Sequence, residues 1–352
     1  MLTEKDINNR KNEMINIYRN ITPIYEDFKN KIKGLLIELA KKNKIKYHQI
    51  EGRTKSENSF IDKAILRDEK NPAIFKYSDP IKQITDLIGI RIIVFFIEEE
   101  LQLEKIINKE FMVIERIDKS IDLLNNNKFG YQSVHYLIKL NKCRQLLDEY
   151  SEYKDIIVEI QVRTILQHAW AEIEHDIQYK NSSIVPLIVK RRFAQLAGLL
   201  EIADREFQAI QSQEKNVNEE NIKNIKNRQY SDIQITISTI EAYLNNYIGV
   251  EKNVSKIAYE NEVKILLNFG FTTIEQVYEC TKGYDANNLS KIVRGTYEGK
   301  IEKFELVLLA SMGDNFLKKH LWKDNSWFIE EKSKDLKMLR KENIIIGSYK
   351  IN

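Results

Sequence analysis

The sequence predicts an α+β protein, with a mixed β-sheet flanked by helices and then a smaller all-α unit. Near the N-terminus Ile24, Phe28, Ile32, Leu35 and Leu39 recur at helical spacing and give one apolar stripe. The middle of the chain holds four short runs rich in β-branched and aromatic residues, at 90–96, 111–117, 132–140 and 156–163, which read as strands. Of the four prolines none lies beyond Pro186, so helix is the expectation for the remaining half.

Taken in order, a basic stretch follows the first helix from Lys41 to Lys55, with six Lys or Arg against one Glu. A helix between Asp79 and Leu87 feeds the first strand through Gly89, and Thr164 begins a helix that runs to about Lys180. Helices alternating with strands in this way indicate a mixed sheet. A further helix covers roughly 186–211, and the polar, aromatic-free segment 211–229 is a linker or a solvated helix. Beyond it, Thr272-x-x-Glu275 has the capping-box pattern, Asp285 caps the next helix and Gly295 stops it. Ile301, Phe304, Leu308 and Met312 continue a helical stripe. The expected layout is a domain at 1–215, a polar linker at 216–230 and a helical domain at 231–352.

Charge and composition narrow the function. The 55 basic and 52 acidic residues leave a net charge of only +3, which argues against a chain held to nucleic acid by charge alone. Two cysteines, Cys143 and Cys280, supply neither a zinc knuckle nor a disulfide framework, so a reducing compartment is expected. No apolar run approaches the roughly 20 residues of a membrane span. The first residues show no basic-then-apolar leader, and a cytoplasmic location follows as an expectation.

The polar residues of the strands carry the chemistry. Alternation in the last strand puts Ile156, Val158, Ile160 and Val162 on one face, and Ile157, Glu159, Gln161 and Arg163 on the other. Tyr131, Ser133 and His135 likewise share a face, an aromatic, a hydroxyl and an imidazole suited to stacking on and bonding a base. Asp86 precedes a strand containing Arg91, a plausible place for a hard-cation ligand. Arg53, Lys55 and Lys63 offer cations to phosphates. Each of these alone has an ordinary reading as a solvated face or a cap.

In combination they do not. Gly52-Arg53-Thr54-Lys55-Ser56 with Ser59 and Lys63, Asp86-Leu-Ile-Gly-Ile-Arg91, Gly130-Tyr-Gln-Ser-Val-His135 and Val158-Glu-Ile-Gln-Val-Arg-Thr164 occur in one order. Over roughly residues 20–200 this set resembles the synthetase domain of the RelA/SpoT alarmone family. The resemblance implies a nucleotidyltransferase-like domain that moves pyrophosphate from ATP to the ribose 3′-hydroxyl of GDP or GTP. By that pattern Arg53 and Arg91 stack on the adenine, and Lys55 and Lys63 bind the ATP phosphates. Asp86 and Glu159 hold Mg2+, with Glu159 also placed to take the proton of the attacking hydroxyl. Tyr131 stacks on the acceptor guanine, with His135, Gln161 and His168 nearby.

Two departures stand out. Asn127-Lys128-Phe129 occupies the place where many alarmone synthetases carry Lys-Pro-Asn, which bears on the grip on the acceptor's 5′ phosphates. Too little chain precedes Arg53 for the hydrolase domain of long family members. On the helix after the last strand, His168, Glu172 and His175 share a face, and the expectation is an acceptor-site role for His168 and a structural one for the other two.

Two rival readings stay open. One is a toxin that pyrophosphorylates the 3′-CCA end of tRNA, restrained by a fused C-terminal antitoxin unit. The other is a catalytically silent nucleotide-sensing module. Expected partners are ATP with GDP or GTP, tRNA under the first rival, a phage or protein ligand of the C-terminal domain, and a second copy of the chain; no membrane is expected.

Overall fold

Helix α1, Glu4–Lys42, opens with a capping box between Thr3 and Asp6 and carries the predicted stripe further than its first members. Tyr18, Tyr25, Phe28, Ile32 and Leu36 are all buried along it. The computed structural model describes residues 2–118, 133–180, 186–251, 253–296 and 298–350. The chain divides into two compact units, Met1–Ile210 and Gln211–Asn352.

The first unit is built on a five-stranded sheet where the sequence suggested four strands. The strands are β1 (Tyr47–Thr54), β2 (Ile88–Val94), β3 (Phe111–Asp118), β4 (Val134–Leu140) and β5 (Val158–Thr164). Their order is β1-β2-β5-β4-β3. Only β2 and β5 run parallel; β1 joins β2, and β4 joins both β5 and β3, in antiparallel fashion. The additional strand is β1, which lies inside the basic stretch. As an edge strand packed on α1 it needs few apolar side chains, and of its eight residues only Ile50 is buried. Gly52 lets the helix come close, since a Cβ there would stand 3.0 Å from Lys29 Cγ and 3.1 Å from Ile90 Cδ1.

The core lies between α1 and the inner strands. Ile88, Ile90, Ile92, Ile93 and Val94 are all fully buried on β2. Aromatic stacks tie α1 to its surroundings, Tyr18 on Phe60 of α2 (Glu57–Ala64) at 4.3 Å and Phe28 on Tyr153 at 4.7 Å between ring centroids. The helix expected at 79–87 is a single turn, Pro80–Gln83, capped by Asp79, so Asp86 sits in the turn that follows it. No helix among the described residues is long and apolar enough to cross a membrane.

The helix beginning at Leu187 continues to Lys226, so most of the segment expected as a linker at 216–230 is the polar end of a helix. The second unit packs around the helix Lys300–Met312, where Phe304 and every residue from Leu306 to Met312 are buried. Thr273, not Thr272, caps the helix Ile274–Thr281, with Gln276 closing the box. Asp285 caps Ala286–Arg294, and Gly295 ends that helix in the left-handed conformation. Arg294 reaches Asp335 with bonds of 2.6 and 3.0 Å and Glu331 with one of 2.8 Å, fastening that helix to Ser326–Lys341.

Candidate active site

The polar face of β5 is the floor of a cavity of about 990 Å³ within the first unit. Arg53, Lys63, Asp86, Arg91, His135, Glu159 and Gln161 all line it, as do Glu51, Arg163, Glu172 and His175. Strand pairing explains the convergence. Arg91 of β2 and His135 of β4 each lie opposite Gln161 of β5, giving one row across three strands. On β1, Glu51 lies opposite Arg91 and Arg53 opposite Gly89.

At one end stands Asp86. Its Oδ2 accepts hydrogen bonds from Lys55 Nζ at 2.7 Å and Lys63 Nζ at 2.8 Å. The backbone N–H of Lys55 donates to the Leu87 carbonyl at 2.9 Å and so holds the residue beside Asp86. Lys63 comes from α2, whose first turn is capped by Ser56. Burial is the largest influence on Asp86 and pushes its pKa up, but the two lysines together outweigh it and keep the carboxyl below its ordinary range. Burial likewise works against the Lys63 ammonium, and Asp86 more than compensates. The other Asp86 oxygen, Oδ1, is sealed from solvent with no hydrogen-bond partner.

Beside it lies Glu159. His135 Nδ1 is 2.7 Å from Oε1, and Gln161 Nε2 donates to Oε2 at 2.9 Å. The far nitrogen of the imidazole, Nε2, meets the Ser133 hydroxyl at 2.9 Å. Burial raises the Glu159 pKa, while the bond from His135 and the charge beside it more than reverse that, so the carboxylate is ionised at neutral pH. The negative charge of Asp86 is felt there too. Asp86 and Glu159 are two of the carboxylates that line the pocket, with Glu51 and Glu172; among the described residues no group of three or more His, Cys, Asp or Glu gathers as an all-protein metal cage.

The opposite end is a basic cluster held by carboxylates. Arg91 Nη1 donates to Glu172 Oε1 at 2.8 Å and stands 4.0 Å from Glu51. Glu172 therefore faces the cavity and orients an arginine, a placement the helical spacing of His168, Glu172 and His175 did not reveal. His168 is not among the residues lining the cavity. Its Nδ1 lies 3.8 Å from Glu172 and is buried without a hydrogen-bond partner, and burial, then Arg91, lower its pKa. Arg163 was legible as part of the polar face of β5 without a role attached; burial, reinforced by Arg91, brings its pKa down to about 10. Tyr131 and the Asn127-Lys128-Phe129 segment lie outside the described residues.

Comparison with known proteins bears on the same segment. Residues 52–184 match the family model described as "Region found in RelA / SpoT proteins". GTP pyrophosphokinase YjbM of Bacillus subtilis is 28% identical over 166 residues, which is 47% of this chain and 72% of YjbM. GTP pyrophosphokinase YwaC of the same organism is 28% identical over 133 residues, 38% of this chain and 60% of YwaC. The crystal structure of small alarmone synthetase 1 from Bacillus subtilis bound to its product pppGpp aligns at 25% identity and a TM-score of 0.45, covering 56% of this chain and 97% of that one.

Proposed function

With a RelA/SpoT-family synthetase domain in this chain as the premise, we propose that it transfers the β,γ-pyrophosphate of ATP to the 3′-hydroxyl of GDP or GTP. The observation that supports the reading is the meeting, in one pocket, of Asp86 and Lys63 with the Glu159–His135–Gln161 network, Lys55 joining through its bond to Asp86. Pyrophosphoryl transfer needs alignment and charge neutralisation more than covalent participation by the protein, and this pocket offers both.

Lys55 and Lys63 bind the triphosphate, and Arg53 and Arg91 flank the adenine. Asp86 and Glu159 hold Mg2+, and the buried, unpartnered Oδ1 of Asp86 suits that role because it is a carboxylate oxygen still without a ligand. The cation neutralises charge on the phosphates when bound. The acceptor's 3′ oxygen forms a bond to the β-phosphorus, the bond to the α-phosphate breaks, and AMP leaves. Glu159 takes the hydroxyl proton, oriented by the His135 bond. Gln161 and His135 line the acceptor side. The helical unit Gln211–Asn352 regulates the reaction or binds a partner, and the enzyme works in the cytoplasm. Purified protein incubated with Mg2+, ATP and GDP is expected to yield AMP and a guanosine 3′-pyrophosphate in equal amounts by ion-exchange chromatography. No AMP with any guanosine nucleotide would sink the proposal.

A further inference from the structure

The pair formed by Glu159 and His135 has a third member. Ser133 stands just before the first residue of β4 and two positions from His135. Its hydroxyl is 2.9 Å from His135 Nε2, while Nδ1 of the same ring is 2.7 Å from Glu159 Oε1. Ser133 is 6% exposed and His135 3%, so both bonds are made away from bulk water. His135 and Glu159 line the cavity, whereas Ser133 is not among the lining residues. Whatever Ser133 does for the pocket it does through the imidazole.

The chemistry of the three groups assigns that effect. Glu159 is ionised, and a carboxylate only accepts, so the hydrogen between the two residues sits on Nδ1. At the far side of the ring a hydroxyl suits either state of Nε2, because it donates to a lone pair and accepts from an N–H. Turning the ring over exchanges Nδ1 with Cδ2 and Nε2 with Cε1. With Ser133 present the reversed ring loses two hydrogen bonds; without Ser133 it loses only the one to Glu159. The hydroxyl therefore adds to the preference for the orientation that bonds the carboxylate, by about 3- to 10-fold for one buried hydrogen bond.

We propose that Ser133 is a positioning residue for pyrophosphate transfer, fixing the His135 ring so that Nδ1 holds Glu159 in the orientation that meets the acceptor hydroxyl. This rests on the reading of the pocket as a pyrophosphokinase site and deepens it.

The test uses the full chain, with Ser133→Ala to remove the hydroxyl and Ser133→Thr to restore it. Steady-state AMP release gives kcat and the KM for ATP with GDP as acceptor. Ser133→Ala is expected to lower kcat about 3- to 10-fold with the KM for ATP within about 2-fold of the wild type, and Ser133→Thr to recover most of kcat. Nuclear magnetic resonance of protein labelled with 15N-histidine reads the ring directly, the His135 N–H signal being identified by its loss in His135→Gln. That N–H is expected to exchange with water faster in Ser133→Ala and at the wild-type rate in Ser133→Thr. A thermal melt verifies folding, and Ser133→Cys, which keeps the volume and offers only a weak donor, replaces an alanine variant that does not fold. A folded loss variant with kcat within 2-fold of the wild type, an unchanged ring signal, or a threonine variant as slow as the alanine one overturns the proposal. A wild type that makes no AMP defeats the pyrophosphokinase reading, while the ring signal still shows whether Ser133 holds His135, so the two fail separately.

Discussion

Asparagine at position 86 keeps the shape of the side chain and removes the charge that Lys55 and Lys63 share. The expected outcome is a divergence between binding and turnover. In the wild type the two bonds of 2.7 and 2.8 Å to Asp86 Oδ2 must loosen before either lysine turns to a phosphate. The side chains of Lys55, Lys63 and Asp86 are 12%, 41% and 24% exposed. They fall between exposed pairs, worth about 0.2–1 kcal/mol, and bonds to buried charges, worth about 1.5–3 kcal/mol. Releasing both lysines therefore yields roughly 1–3 kcal/mol, or about 5- to 150-fold tighter binding of metal-free ATP. Turnover moves the other way, falling at least about 100-fold, because the carboxylate assigned to the cation is gone. Calorimetry with ATP in EDTA measures the first effect and AMP release the second. An Asp86→Asn protein that binds metal-free ATP more weakly than the wild type, or turns over within 3-fold of it, would rule out these roles for Asp86 and its lysines.

Other perturbations follow from the same contacts. Arg294→Ala leaves Asp335, 2% exposed in its side chain, without its partner, and about 3–5 kcal/mol should be lost from the helical unit, visible as an earlier melting transition. Phe28→Ala empties a fully buried site stacked on Tyr153 and should cost the first unit about 3–5 kcal/mol in chemical denaturation. The low pKa values of Asp86 and Glu159 stabilise the fold fully above the ordinary carboxylate range, and that contribution disappears as pH falls through the depressed values. Glu100 has the opposite sign. Burial and then Asp204 push it up to about 8, so its contribution is full at acid pH and is lost as pH rises towards 8. Melting temperatures of the wild type should decline from pH 5 to 8 more steeply than those of Glu100→Gln, and parallel profiles would contradict that.

The polar face of β5 was legible because strand alternation depends on nothing outside the strand. Glu159, Gln161 and Arg163 all line the cavity as their spacing requires. Edge strand β1 was not legible. Its inner face rests on α1, a partner remote in sequence, and its composition of Tyr, His, Gln, Glu and Arg resembles a loop. The helix Leu187–Lys226 outran its expected end because the residues beyond 211 are mostly Lys, Asn, Gln and Glu, and Ile225, fully buried in the last turn, stands too isolated among them to mark the continuation. Glu172 shows the limit of one-dimensional reading. On its own helix it pairs with His168, and only the folded chain brings it to Arg91, 81 positions away, where it sets a guanidinium that faces the cavity.

Transfer of label from ATP decides whether a guanosine nucleotide receives the pyrophosphate. ATP labelled at the γ-phosphate is incubated with Mg2+ and the full chain in parallel with GDP, GTP and deacylated tRNA, with Asp86→Ala as the blank. The expected result is label on the guanosine nucleotide, one AMP per label transferred and none in the blank. Label on tRNA alone, or release of labelled inorganic phosphate with no acceptor product, would contradict it.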